Sequence, residues 1–263
     1  MRPMTSSTAT ARPRIVFLAV DDEYAGAMQQ PLYARHPEWI VGSVLSSSRV
    51  YRKSDLQALA FLLRHSGVFY VLSMAKAKLL HRPRSKRGVL PSLLANTHNV
   101  PTLLTNDINS PGSVAWLRRL RPDLAVSTNF SHILKNPAMD TPRRGTWNLH
   151  KSKLPEYRGM APAFYALLGG ASEVGVTLHV MDEGVDTGPT IAQLSTPVDA
   201  ADSVHSLNSR LSNVGGEMLA DLLDQHPDLN MPYTPQPPGD WTSHSYPSRQ
   251  DVRLFRRKGL RFT

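Results

Sequence analysis

Residues 15–37 read IVFLAVDDEYAGAMQQPLYARHP, an unbroken apolar run that stops at three acidic residues and enters a helix-like segment. Apolar character at every position, rather than at alternate ones, is what a strand covered on both faces requires. The run is far shorter than the roughly 20 apolar residues that cross a bilayer. The acids behind it also exclude the core of a secretory signal. Similar strand readings recur at WIVGSVL (39–45), within VPTLLTNDINS (100–110), at PDLAVSTN (122–129), at GTWNLH (145–150) and at GVTLHVM (175–181). Between them lie helical patterns: SVAWLRRL at 113–120, a leucine-rich stretch over 54–80 broken at Gly67, and residues 203–223. In the last of these, Val204, Leu207, Leu211, Val214, Met218 and Leu222 form one stripe, with Asp202 or Ser203 as N-cap. Strands alternating with helices imply an α/β fold built on a mostly parallel sheet flanked by helices.

The ends of the chain read differently. Residues 1–13, MRPMTSSTATARP, show no apolar period and are expected to be a disordered leader. Residues 226–263 are rich in proline and are expected to form a short C-terminal extension, too small for a core of its own. The remainder, 14–225, is the expected catalytic domain. Within it, about 46–100 exceeds a compact α/β connection by roughly 30 residues. That stretch is read as a helical, basic insertion serving as a lid, a homodimer contact or a docking surface.

The 263 residues carry a formal charge of +9, 41% hydrophobic residues and no cysteine. Without cysteine there is no disulfide framework, thiolate zinc site or thiol nucleophile. His150 and His179 fit no recognised zinc spacing, so no metal is expected. With neither an export signal nor a membrane span, the expected location is cytoplasmic. The basic residues cluster in two blocks, Arg64–Arg87 and Arg249–Arg261. These are either solvated faces or sites for an anionic partner: nucleic acid, an acidic carrier protein or the acidic tail of a ligand.

Chemistry concentrates in two segments. In GTWNLHKSKLPEYRG (145–159), Asn148 and His150 are two residues apart on a strand and therefore share a face. Asp186 follows in the Gly-rich DEGVDTGP (182–189), which lacks the Lys-Ser/Thr ending of a phosphate loop. Both clusters are expected at carboxyl ends of strands, where open α/β sheets bind ligands. Alone, a strand histidine reads as packing and a loop aspartate as turn chemistry. Together an amide, an imidazole and a carboxylate suit acyl transfer to an amine: donors for an oxyanion and a base for the amine proton.

The blocks GTWNLHKSKLPEYRGMAPAFYALLGG and GVTLHVMDEGVDTGPTIAQ resemble the formyltransferase family, which includes methionyl-tRNA, glycinamide ribonucleotide and amino-sugar formyltransferases. The resemblance covers roughly 14–225 and implies a Rossmann-like domain that moves a formyl group from N10-formyltetrahydrofolate to a primary amine. It places Asn148, His150 and Asp186 on the family's catalytic positions. It implies cofactor binding by Phe130, Ser131, His132, Ile133 and Leu134, with Asp182, Glu183, Gly184 and Val185 closing the other side.

This chain also departs from the family. Lys153 stands where relatives often have an apolar residue, and Asp21, Asp22 and Glu23 replace a glycine-bearing turn. These four residues, with Arg158, are candidate contacts to the acceptor. The first reading of the acceptor is a small-molecule or carrier-bound amine. The alternatives are methionyl-tRNA, a 10-formyltetrahydrofolate hydrolase and a catalytically inactive binding module. The tRNA enzymes continue into a β-barrel domain that the Pro-rich 226–263 does not resemble, so tRNA is ranked second.

Overall fold

The computed structural model describes residues 12–47, 53–80, 89–239 and 241–263. Nearly all of the expected leader, part of the expected insertion and the basic stretch 81–88 lie outside the described residues. No helix among the described residues is long and apolar enough to cross a membrane.

The unbroken apolar run forms β1 (Ile15–Val20), whose six residues are all buried. It leads into α1 (Glu23–Arg35), where the Asp22 side chain accepts from the Ala25 amide. β2 (Ile40–Ser46) follows. Trp39 falls outside the strand, on a single 3₁₀ turn, with its ring stacked 3.8 Å from His36. Gly67 separates α2 (Asp55–His65) from α3 (Val68–Leu80), with φ of +89°. Then come α4 (Pro91–Thr97), β3 (Thr102–Thr105), α5 (Pro111–Leu120), β4 (Leu124–Thr128) and β5 (Thr146–His150). The second half holds β6 (Arg158–Gly159), α6 (Pro162–Gly169), β7 (Glu173–Val180), β8 (Thr190–Pro197) and α7 (Val204–Gln225). Ser203, not Asp202, caps α7. Beyond it lie β9 (Ser243–His244) and α8 (Arg249–Arg257).

The seven-stranded sheet runs β3-β2-β1-β4-β5-β7-β8. The pairings from β3 to β5 are parallel; β7 pairs antiparallel with both β5 and β8. This is a mostly parallel, Rossmann-like sheet flanked by helices. One face buries Phe17, Val126, Trp147, Leu149, Val176 and Leu178 with Met28, Leu32, Met218 and Leu219 of α1 and α7. The other buries Val16, Leu18, Val44 and Ala125 with Val114 and Leu117 of α5. Over β5 and β7 this second face carries Asn148, His150, Thr177 and His179.

The described residues beyond α7 fold back on the rest of the chain. Val252, Phe255 and Phe262 share a core with Phe164 of α6, Leu207 and Leu211 of α7, and Tyr70 of α3. Phe164 and Phe255 stack at 4.5 Å between centroids. Burying one such side chain contributes about 1.5–3 kcal/mol. Arg261 and Phe262 also offer their carbonyls to the Val204 and His205 amides, satisfying donors that the start of α7 leaves unpaired.

Candidate active site

The turn after β5 is fixed from beneath by β7. Thr177 Oγ1 donates to the Ser152 carbonyl and accepts from the Leu154 amide, while Ser152 Oγ donates to the Glu156 carbonyl. Gln193 Nε2 donates to both Thr177 Oγ1 and the Leu154 carbonyl. The chain is thereby returned over its own strand, bringing the Tyr157 carbonyl to 3.1 Å from His150 Nε2.

Asp186 reaches the same place by another route. Because β7 is antiparallel to β5, its carboxyl end at Val180 lies opposite Trp147, near the start of β5. Asp186 therefore follows a strand's carboxyl end, as the β5 turn does, but the two carboxyl ends lie at opposite ends of the sheet. Its loop leaves the opposite end of the sheet and folds back across the face. Gly188 allows this return, since a Cβ there would stand 1.9 Å from the Val180 carbonyl oxygen. Asp186 itself adopts φ of +53°, a left-handed conformation that aspartate tolerates better than most residues.

The three side chains converge. Asn148 Nδ2 donates to Asp186 Oδ1 at 3.2 Å, and the Gly159 amide donates to Asp186 Oδ2 at 2.8 Å. His150 Nδ1 faces the same Oδ2 at 3.5 Å. His179 joins them, with Nε2 at 3.1 Å from Asn148 Nδ2 and 3.6 Å from Asp186 Oδ1. Sequence reading considered His179 only as a metal ligand. Its place opposite Asn148 is set by the pairing of β7 with β5, which leaves no mark in the sequence. Among the described residues, no group of three or more His, Asp or Glu side chains is disposed to hold a metal.

The network dictates protons. A carbonyl only accepts, so His150 donates Nε2–H to Tyr157 and keeps its Nδ1 lone pair toward Asp186. His179 likewise donates Nδ1–H to the Val180 carbonyl, leaving Nε2 to accept from Asn148. Both Asn148 amide hydrogens are thus engaged, one by His179 and one by Asp186. Burial holds His150 below the usual histidine pKa, against opposing pulls from Asp186 and the Tyr157 carbonyl. Burial acts to raise the Asp186 carboxyl, but the donors around it, the Gly159 amide among them, hold it well below the usual carboxylate range. At neutral pH the site holds an ionised carboxylate beside a neutral imidazole.

The residues named for cofactor binding form two segments near this centre. Phe130 after β4 and Met181 before the Asp186 loop pack against one core cluster. His132 Nδ1 accepts from the Ile108 amide, its Nε2 meets Ser46 Oγ at 2.9 Å, and Ser131 Oγ meets the same Ser46 hydroxyl. Ile133 is 58% exposed and Val185 50% exposed, while Leu134 is buried. Asp182 Oδ1 accepts from the Gly184 amide and Thr187 Oγ1, closing its own loop beside exposed Glu183. Ile133 and Val185 thus present open apolar side chains on the two segments.

Each candidate acceptor contact has a partner within the chain. Asp22 is buried as the cap of α1 and accepts from Asn129 Nδ2. Asp21 accepts from the Ser92 amide and hydroxyl, serving α4, whose own N-cap residue makes no side-chain bond. Both carboxylates therefore have a structural occupation. Glu23 lies 3.9 Å from His205 Nδ1. Lys153 turns away to Glu173, at the end of β7 remote from His179, with 2.7 Å between them. Arg158 donates to Gln236 Oε1 at 2.7 Å.

A family model described as formyl transferase matches residues 54–223, more than half of the chain. The chain belongs to the formyl transferase family. A methionyl-tRNA formyltransferase from Citrifermentans bemidjiense is 40% identical over 148 residues, which is 55% of this chain and 46% of that protein. The chain spans less than half the length of such curated relatives. Among solved structures, glycinamide ribonucleotide transformylase 1 from Symbiobacterium toebii aligns with TM-score 0.57 and 18% identity, covering 82% of this chain and 88% of that one. An N-formyltransferase from Helicobacter canadensis, solved with folinic acid and dTDP-3-aminofucose, aligns with TM-score 0.57 and 17% identity. That alignment covers 91% of this chain and 72% of the Helicobacter one. At such identities the two solved structures bear on fold, and the family match carries the chemical class.

Proposed function

We propose that this member of the family transfers a formyl group from N10-formyltetrahydrofolate to a primary amine, with Asn148, His150 and Asp186 at the reacting atoms. The observation that carries this reading is the meeting of an ionised carboxylate, a neutral imidazole and a side-chain amide on one sheet face. The donor, when bound, supplies an activated acyl carbon that an amine can attack directly, so no serine or cysteine nucleophile is needed. The new bond joins the amine nitrogen to the formyl carbon. The bond from that carbon to the folate nitrogen breaks, its electrons staying on the folate nitrogen.

His150 is held at Nε2 by Tyr157, leaving the Nδ1 lone pair to take the proton that the attacking amine loses. The resulting imidazolium faces Asp186, whose charge stabilises it, and it then returns the proton to the departing nitrogen. Asn148 serves the formyl oxygen by exchanging one of its two amide bonds for that oxygen as negative charge develops. Because Asp186 and His179 hold this amide in a single orientation, little reorganisation accompanies the exchange.

For the acceptor, the comparisons favour methionyl-tRNA over the small-molecule amine that sequence reading ranked first. The matching curated relatives carry that name, and a charge of +9 suits a polyanionic partner. The small-molecule reading keeps one observation in its favour: the described residues beyond α7 fold back against the site loops through Gln236 and β9. The deciding assay measures tetrahydrofolate release from N10-formyltetrahydrofolate with methionyl-tRNA, with a panel of small amines, and with no acceptor. Release that requires an acceptor is expected. Release without one contradicts transfer in favour of hydrolysis, and no release under any condition contradicts both.

A further inference from the structure

We infer that Gln236, in the Pro-rich stretch beyond α7, is a positioning residue for Asp186, so that the C-terminal segment sets the geometry of the reacting carboxylate. Arg158 can only donate, which turns Gln236 Oε1 toward its guanidinium at 2.7 Å. Gln236 Nε2 then points at two carbonyls of the Asp186 loop, donating to Asp186 at 2.9 Å and to Gly188 at 2.8 Å. Arg158 is bonded covalently to Gly159, whose amide donates to Asp186 Oδ2. The result is a closed circuit. Gln236 grips the backbone of Asp186 on one side and, through Arg158 and Gly159, reaches its carboxylate on the other.

Both ends of the segment are anchored independently. Two residues before Gln236, Thr234 and Thr190 exchange backbone hydrogen bonds at 2.8 Å in each direction. Further on, β9 pairs with β6, and the Met160 amide donates to the His244 carbonyl at 2.8 Å. Gly159 is required at this crossing, because a Cβ there would stand 2.2 Å from the His244 carbonyl oxygen. Gln236 is therefore presented at a fixed height above the loop. A left-handed aspartate is a conformation that must be held by its surroundings, and this circuit holds it from three directions. The hydrogen bonds of Gln236 itself go to the Arg158 guanidinium and to loop carbonyls, so it acts on the reaction through the placement of Asp186.

The inference rests on Asp186 acting at the reacting atoms as proposed above. The test replaces Gln236 with Met, which keeps length without hydrogen bonds, and with Glu, which keeps an acceptor for Arg158 but removes both donors. Leu serves in place of Met if that variant does not fold. Two readouts are taken in each full-length variant: kcat and KM for N10-formyltetrahydrofolate, and hydrogen exchange of the Gly159 amide by NMR. Both variants are expected to lose about 10- to 100-fold in kcat, the scale of a small misplacement of a reacting group, with KM little changed. Faster Gly159 exchange should accompany the loss. The inference is overturned by unchanged kcat, by a loss that appears in KM instead, by unaltered Gly159 exchange, or by Glu restoring what Met removes. If the wild-type protein transfers no formyl group, the reading of function fails, and Gly159 exchange alone then decides whether Gln236 positions the loop.

Discussion

Asp186 Oδ2 accepts the Gly159 amide at 2.8 Å while standing 3.5 Å from His150 Nδ1, so one carboxylate oxygen is anchored by backbone and faces the imidazole across a wider gap. The anchor makes this aspartate a fixed charge, and the gap leaves the His150 lone pair uncommitted until a proton arrives. Asp186→Asn keeps the shape and removes the charge that stabilises the imidazolium. It is expected to lower kcat at least about 100-fold with little change in thermal stability. His150→Ala should lose as much. Near-normal turnover in either, measured by tetrahydrofolate release, removes that residue from the mechanism.

His179 should matter through Asn148. Its Nε2 accepts one of the two amide hydrogens that orient Asn148. His179→Leu is expected to lower kcat about fivefold, since a hydrogen bond contributes about 1 kcal/mol and 1.36 kcal/mol is tenfold in rate. His179→Gln retains an acceptor and should lose less. Equal losses in the two variants would assign His179 to packing.

The pH dependence of turnover follows from two depressed pKa values. Burial lowers His150, and Asp186 is lowered by its partners against its own desolvation. Both groups therefore keep their working forms, neutral and ionised, below the ordinary histidine range. The kcat profile should be flat from pH 8 to below 6.5, the ordinary histidine value. An acid limb centred at or above 6.5 contradicts the assignment.

His132 gives a separate effect on stability. Burial lowers its pKa from 6.5 to about 4, with Asp107 opposing. Its Nδ1 accepts from the Ile108 amide, so protonation there sets two donors against each other. The unfolded chain takes up this proton near 6.5 and the folded chain only near 4, so stability falls as pH drops through that window. Denaturant midpoints measured at pH 7 and pH 4.5 should show a smaller fall in His132→Gln than in the wild-type protein. An equal fall excludes His132 as a source.

Asp22 should affect folding more than turnover. Its carboxylate caps α1 and accepts from Asn129 at the end of β4. Asp22→Ala is expected to cost about 1–2 kcal/mol in denaturant unfolding, whereas Asp22→Asn, still a good cap, should cost much less. A larger effect on acceptor KM than on stability would restore Asp22 as an acceptor contact.

The parallel half of the sheet was legible because unbroken apolar strands such as IVFLAV have few other uses. The period of two placed Asn148 and His150 on one face for the same reason. The path of Asp186 was not legible. The direction of β7 is decided by pairing with β5, and the return of its loop by Gly188, neither of which leaves a periodic trace. β8 was missed because it lies at the sheet edge with its residues half-buried or exposed, so its apolar pattern is weak. The intramolecular partners of Asp21 and Asp22, Ser92 and Ala25, lie 71 and three residues away, and the longer of these two links leaves no local mark. Gln236 carried no signal at all: its partners are backbone carbonyls, which any sequence provides.

The most direct measurement is the fate of a carbon-labelled formyl group carried on N10-formyltetrahydrofolate, followed by mass spectrometry in the presence of methionyl-tRNA or a small primary amine. The account predicts the label on the acceptor nitrogen with the wild-type protein, and its near absence with Asp186→Asn. Label recovered only as formate, or transferred equally by both proteins, would contradict it.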